Sequence, residues 1–149
     1  PVPKVLLEPG RSIVANAGLT LYRVGGIKTI EGYRSYVTVN GGMTDNPRYA
    51  LYKAPYTVVP ASRMNDAREV TCTVAGRCCE SGDLIQENIQ LPEMQRDDLL
   101  AVLTTGAYNF TMASNYNRLC RPALVMVHHG KARLAVRRQT FADLVACDL

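Results

Sequence analysis

Leu19-Thr-Leu-Tyr-Arg-Val-Gly-Gly-Ile-Lys-Thr-Ile30 is the stretch whose reading decides the fold class. Residues 19–24 read as a strand, and 27–30 resume it. The paired glycines between them suggest a bulge or bend rather than an end. Outward from this strand, β patterns dominate. Residues 33–39 alternate, 56–59 form a shorter β-branched run, and 70–75, 84–91, 99–103, 124–128 and 132–136 follow. Gly, Pro and Asn/Asp punctuation separates them, and Gly130 marks a hairpin between the last two. Strands at this density predict a mainly β domain, closed or sandwich-like. Helical pieces are few: a turn near 48–52, one near 109–116, and 140–146.

Ahead of residue 19, Val5-Leu6-Leu7 is a continuous apolar run ending in Glu8-Pro9-Gly10. It predicts a buried parallel strand feeding a turn. Residues 12–18 are rich in small side chains and predict a helical turn. The abrupt apolar start after Pro1-Val-Pro-Lys4 reads as a chain trimmed from a longer one.

The chain has 149 residues, 47% of them hydrophobic and 20% charged, which suits one soluble globular domain. No apolar run is long enough to cross a bilayer, and no secretory leader precedes the domain, so a cytoplasmic protein without a membrane partner is expected. The formal charge of +4 is mild, and the cluster Lys131, Arg133, Arg137 and Arg138 has the spacing of a solvated strand face; nucleic-acid binding is not expected. Five cysteines (Cys72, Cys78, Cys79, Cys120 and Cys147), an odd number with one adjacent pair, argue against a disulfide framework. No C-x-x-C or His/Cys cluster has zinc spacing, so no metal site is expected.

Four clusters are unusual for a plain β domain. In Glu8-Pro-Gly-Arg11 a glycine turn exposes backbone N–H groups, and an arginine can grip phosphate or carboxylate. Gly41-Gly-Met-Thr-Asp-Asn-Pro-Arg48 is longer than a hairpin needs, and a helical turn after Pro47 would put Arg48 and Tyr52 on one face. Cys78-Cys-Glu-Ser-Gly-Asp83 sets a thiol beside a carboxylate at a strand end. Gly106-Ala-Tyr108 through Met112-Ala-Ser-Asn-Tyr-Asn117 suits a short helix lining a pocket. Each alone has an ordinary structural meaning: a surface turn, a loop, a buried inert thiol, a core tyrosine. Composition and spacing stop at a mostly β domain with an anion-binding pocket.

Taken together and in this order, the four clusters resemble the C-terminal half of diaminopimelate decarboxylases, over essentially the whole chain. The resemblance implies a two-domain fold: a (β/α)8 barrel carrying pyridoxal 5'-phosphate, followed by a β-barrel domain. Residues 1–18 would be the last strand and turn of the first, and 19–149 the second. It implies a homodimer with shared active sites and the substrate meso-diaminopimelate. By the same resemblance, Glu8 would face the cofactor's pyridinium nitrogen, and Gly10, Arg11 and Tyr108 would lie at the cofactor, with Arg11 and Tyr108 also touching substrate. Arg48 and Tyr52 would hold the substrate's far carboxylate and Glu80 its far ammonium. Cys79 would be the proton donor supplied to the neighbouring subunit.

The cofactor also needs a lysine for its Schiff base. None of Lys4, Lys28, Lys53 and Lys131 has a matching context. The polypeptide by itself is therefore expected neither to hold the cofactor covalently nor to decarboxylate. The competing readings are a related ornithine, arginine or carboxynorspermidine decarboxylase, and a non-catalytic β-barrel that serves binding or dimerisation.

Overall fold

The computed structural model describes residues 2–149. A short helix α1 (Arg11–Val14) and a 3-10 turn (Ala15–Ala17) lead into eight strands. These are β1 (Leu19–Ile30), β2 (Arg34–Val39), β3 (Val58–Pro60), β4 (Val70–Ala75), β5 (Leu84–Leu91), β6 (Leu99–Leu103), β7 (Leu124–His128) and β8 (Lys131–Val136). Helix α2 (Arg48–Tyr52) precedes β3, and α3 (Phe141–Leu144) follows β8.

Six strands form one sheet in the order β3-β6-β1-β2-β4-β5, and β7-β8 form a separate hairpin. The mainly β expectation holds, and the sheet is nearly closed. Its two edges meet through a side chain: Gln86 of β5 accepts a hydrogen bond of 2.8 Å from the backbone N–H of Tyr56, just before β3.

Strand β1 does the joining. Its first half pairs antiparallel with β6, Leu19 opposite Leu103, and its second half pairs with β2, Ile30 opposite Arg34. The register shifts between Val24 and Gly26, so Gly25 is the extra residue of a bulge. That bulge lets one strand serve two neighbours that lean apart. The β7-β8 turn is the two residues His129 and Gly130, both at positive φ, as a primed hairpin turn requires.

Val24, Val74, Ile85, Leu91, Leu100 and Val102 fill the inside, each at most 1% exposed. Fully burying each such side chain is worth about 1.5–3 kcal/mol before the cost of ordering the chain.

Three expectations need correction. Val5, Leu6 and Leu7 are 74–83% exposed and belong to no strand. A parallel strand is buried only when neighbours cover both faces, and no described strand pairs with this run. The strand expected at 56–59 begins at Val58, because the Tyr56 amide is taken by Gln86. The helix expected near 109–116 is two single 3-10 turns, Phe110–Met112 and Tyr116–Arg118, separated by extended backbone at Ala113.

Candidate functional site

Arg11 opens α1, and its guanidinium is turned back onto the chain that leaves β6. It donates to the carbonyl of Ala107 and, at 3.3 Å, to that of Thr104. The same group lies 5.7 Å from the Tyr56 ring centroid. Backbone bonds hold this corner: Thr105 N–H donates to Gly18 and Gly106 N–H to Ala15, both at 3.0 Å. Tyr108 then lies against Gly10, where a Cβ would sit 1.8 Å from the phenol oxygen. Gly10, Arg11 and Tyr108 are thus brought together, whereas Glu8 stays on the exposed lead-in segment.

The second cluster packs beside the first. Tyr56 hydroxyl donates to Asn109 Oδ1 at 3.3 Å, and Asn109 Nδ2 donates to Asn46 Oδ1 at 2.5 Å. This buried relay links the β3 approach, the Tyr108 loop and the Gly41–Arg48 loop. Pro47 caps α2, and the guanidinium of Arg48, the next residue, stands 5.2 Å from the ring centroid of Tyr52 one turn on, the shared face expected of an i, i+4 pair. Arg48 Nε is buried without a hydrogen-bond partner, as is Asn46 Nδ2. An unpaired buried donor is costly, so these are donors waiting for an acceptor. Deeper in the loop, burial pushes the Asp45 carboxyl up, and burial with Asp45 alongside raises the Tyr22 phenol well above its ordinary value. The two share a short hydrogen bond.

Asp83 organises the third cluster. Its carboxylate, 3% exposed, accepts from Met43 N–H and from Cys78 N–H, each at 2.6 Å. Burial and the Asp83 charge push the Cys78 thiol up to about 11. Cys79 and Glu80 face outward. Glu80 accepts from Gly82 N–H at 3.1 Å and from the Ser81 hydroxyl at 3.3 Å. Cys79 N–H donates to Asn117 Oδ1 at 2.7 Å, and Ser114 N–H donates to the Thr44 carbonyl at 2.8 Å, which fastens the fourth cluster to the other two.

All four sequence clusters therefore share one rim. Within the chain, Arg48 and Glu80 form no ion pair among the described residues; their loops are tied, not their charges. Asp83, Asn46, Asn109 and Asn117 carried no role in the sequence reading. Gly42 and Gly76, which make room for the Asp83 carboxylate, were the signal that could have singled it out.

The fold is a nearly closed β-sheet domain with guanidinium, carboxylate and thiol groups gathered on one loop rim. The chain belongs to the pyridoxal-dependent decarboxylases: residues 12–106 match the family model of their C-terminal sheet domain. It is 52% identical over 148 residues to the diaminopimelate decarboxylase of Bacillus subtilis and 51% to that of Synechocystis, covering 99% of this chain in both cases. The match spans 34% and 32% of those relatives, so the chain is about a third of their length. The crystal structure of diaminopimelate decarboxylase from M. jannaschii with L-lysine superposes with a TM-score of 0.90 at 35% identity, covering 99% of this chain and 33% of that one. A lysine/ornithine decarboxylase from Vibrio vulnificus, complexed with cadaverine, gives 0.64 at 29% identity over 74% of this chain and 30% of that one.

Proposed function

We propose that this chain is the sheet-domain portion of a diaminopimelate decarboxylase, which removes one carboxylate of meso-2,6-diaminopimelate to leave L-lysine. The observation that carries the reading is the buried, unpartnered Nε of Arg48, on a loop anchored to the turn that bears Cys79 and Glu80. The substrate has an amino-acid group at each end, so the end that does not react must be held. A carboxylate calls for Arg and an ammonium for a carboxylate. Arg48, braced by Tyr52, suits the first and Glu80 the second. A substrate such as ornithine has no far carboxylate and would leave Arg48 idle.

Pyridoxal phosphate, when bound, supplies an electron sink for the carbon that loses carbon dioxide. The residues here fit one wall of its site. Tyr108 hydroxyl makes no hydrogen bond among the described residues and lies against the Gly10 backbone, free to donate to a phosphate. Arg11 fixes the loop that carries it, and Glu8 would face the ring nitrogen. None of Lys4, Lys28, Lys53 and Lys131 has the context of a Schiff-base site, so covalent attachment would fall to another segment, and the chain by itself would decarboxylate nothing.

Cys79, an exposed thiol at a turn, would deliver a proton to the site of a second copy in a homodimer with shared active sites. Residues 1–18 would then belong with a preceding barrel domain and 19–149 would form the sheet domain. A cytoplasmic location fits five unpaired thiols, and no helix among the described residues is long and apolar enough to cross a membrane.

Carbon dioxide release by the full-length enzyme tests this reading. It is expected from meso-diaminopimelate and not from ornithine, arginine or carboxynorspermidine. Preference for any of the last three would overturn it.

A further inference from the structure

Two site loops come from separate parts of the sequence, and a single side chain joins them. Asp83 Oδ1 accepts from Met43 N–H, inside the Gly41–Arg48 loop, and Oδ2 accepts from Cys78 N–H, one residue before Cys79. The backbone closes the same knot: Gly76 N–H donates to the Asp83 carbonyl at 2.8 Å, Arg77 N–H to the Gly41 carbonyl at 3.1 Å, and Asp83 N–H to the Glu80 carbonyl at 3.1 Å. No cation is paired with Asp83 among the described residues; the N–H groups of Met43 and Cys78 satisfy it instead. The space is cut to fit the carboxylate. A Cβ on Gly42 would lie 2.5 Å from both carboxylate oxygens, and one on Gly76 would lie 2.2 Å and 2.3 Å from them.

We propose that Asp83 is a positioning residue for the reaction, setting the Arg48 loop and the Cys79–Glu80 turn in one fixed relation. The inference rests on the functional reading above and adds a residue to it. Asp83 touches neither substrate nor cofactor in this scheme. It acts through two backbone amides, one of them that of Cys78. Its carboxylate holds the N–H of Cys78, which is half-buried, while the next residue, Cys79, is exposed and free to react. One carboxylate thus distinguishes two adjacent cysteines and holds the Arg48 loop and the Cys79–Glu80 turn together.

The test is Asp83→Asn in the full-length enzyme, with Gly42→Ala as an independent perturbation of the same contact. Asn offers one acceptor and one N–H₂, so one of the two amides loses its partner. Gly42→Ala pushes the carboxylate away from the other side. Two quantities are read on folded protein. The first is the iodoacetamide labelling of Cys78 relative to Cys79, expected to rise at least fivefold in either variant. The second is steady-state turnover of diaminopimelate, where kcat is expected to fall and KM to rise, together lowering kcat/KM at least tenfold. The double variant should be scarcely worse than the worse single one, since both act on one contact. A folded Asp83→Asn enzyme that keeps the wild-type labelling ratio, or the wild-type kcat and KM with only a lower Tm, overturns the proposal. Should Asp83→Asn fail to fold, Gly42→Ala is judged by the same two criteria. If the wild-type enzyme turns over no diaminopimelate, the functional reading fails separately, and the labelling ratio still decides whether Asp83 orders the two thiols.

Discussion

Tyr108 rests its phenol oxygen on the α-carbon of Gly10, so that the start of α1 and the loop after β6 meet with no room for a methyl group. The contact joins residues far apart in sequence and fixes where the hydroxyl points. Because a Cβ would fall 1.8 Å from that oxygen, Gly10→Ala must swing Tyr108 away. The ring is half-exposed and can move without tearing the core, so stability should hardly change. Activity of the full-length enzyme should fall by roughly tenfold or more, equivalent to about 1.4 kcal/mol of transition-state stabilisation. Measured kcat/KM within a factor of two of wild type would remove the contact from the mechanism.

Gly106 behaves differently although it too is exposed. Its missing side chain faces backbone, 2.0 Å from the Val14 carbonyl oxygen and 3.0 Å from the Gly18 nitrogen. Backbone cannot step aside as the Tyr108 ring can. Gly106→Ala should therefore break the Ala15–Gly106 bond and cost about 2–3 kcal/mol, a fall in Tm of roughly 5–10 °C. Thermal unfolding of the variant beside Gly10→Ala separates the two kinds of glycine.

Much of this architecture is legible in the order of residues. Gly25-Gly26 announced a bulge, Gly130 a hairpin, and the spacing of Arg48 and Tyr52 a shared helical face; local chemistry decides each of these. Val5-Leu6-Leu7 lies exposed: a continuous apolar run states a preference for burial, but no described strand of this chain covers it. The site was visible as four separate clusters but not as one rim. Their union depends on Asp83, Asn46 and Asn109, whose bonds reach across 40, 63 and 63 residues of chain, and no local pattern encodes such pairings.

Stability should depend on pH through one cluster on β5. Glu87 accepts from the Tyr49 hydroxyl and pairs with Arg34 at 2.8 Å. The Tyr49 bond, with help from Arg34, holds the Glu87 carboxyl below its usual range. A depressed carboxyl pKa stabilises the fold above the unfolded value, near 4.3, and that contribution is lost as pH falls through the folded value. Tyr49 has the opposite sign. Burial and Glu87 raise its phenol to about 12, so its contribution is intact below the unfolded value, about 10, and is lost as pH rises toward 12. Urea unfolding of wild type and Glu87→Gln should show a gap that is constant near neutrality and narrows on acidification below about pH 4. A gap that widens in acid would contradict the assignment.

Arg48 offers the sharpest separation of binding from folding. Its Nε is buried and has no protein partner, while the guanidinium leans on the Tyr52 ring. Arg48→Met keeps most of the apolar length that packs on Tyr52 and removes a donor the fold does not use, so Tm should stay level or rise slightly. In the full-length enzyme the distal carboxylate of diaminopimelate would lose a charge-assisted pair, worth about 1.5–3 kcal/mol, so kcat/KM should drop by roughly 10–200-fold. Arg48→Lys should recover only part of this, because an ammonium cannot reproduce the two-pronged geometry of a guanidinium. A truncated substrate analogue without the distal carboxylate should be turned over at the same low rate by wild type and Arg48→Met, since wild type then has no acceptor for its donor and the variant has no donor. Equal loss on both substrates would mean that Arg48 supports the loop and does not read the ligand.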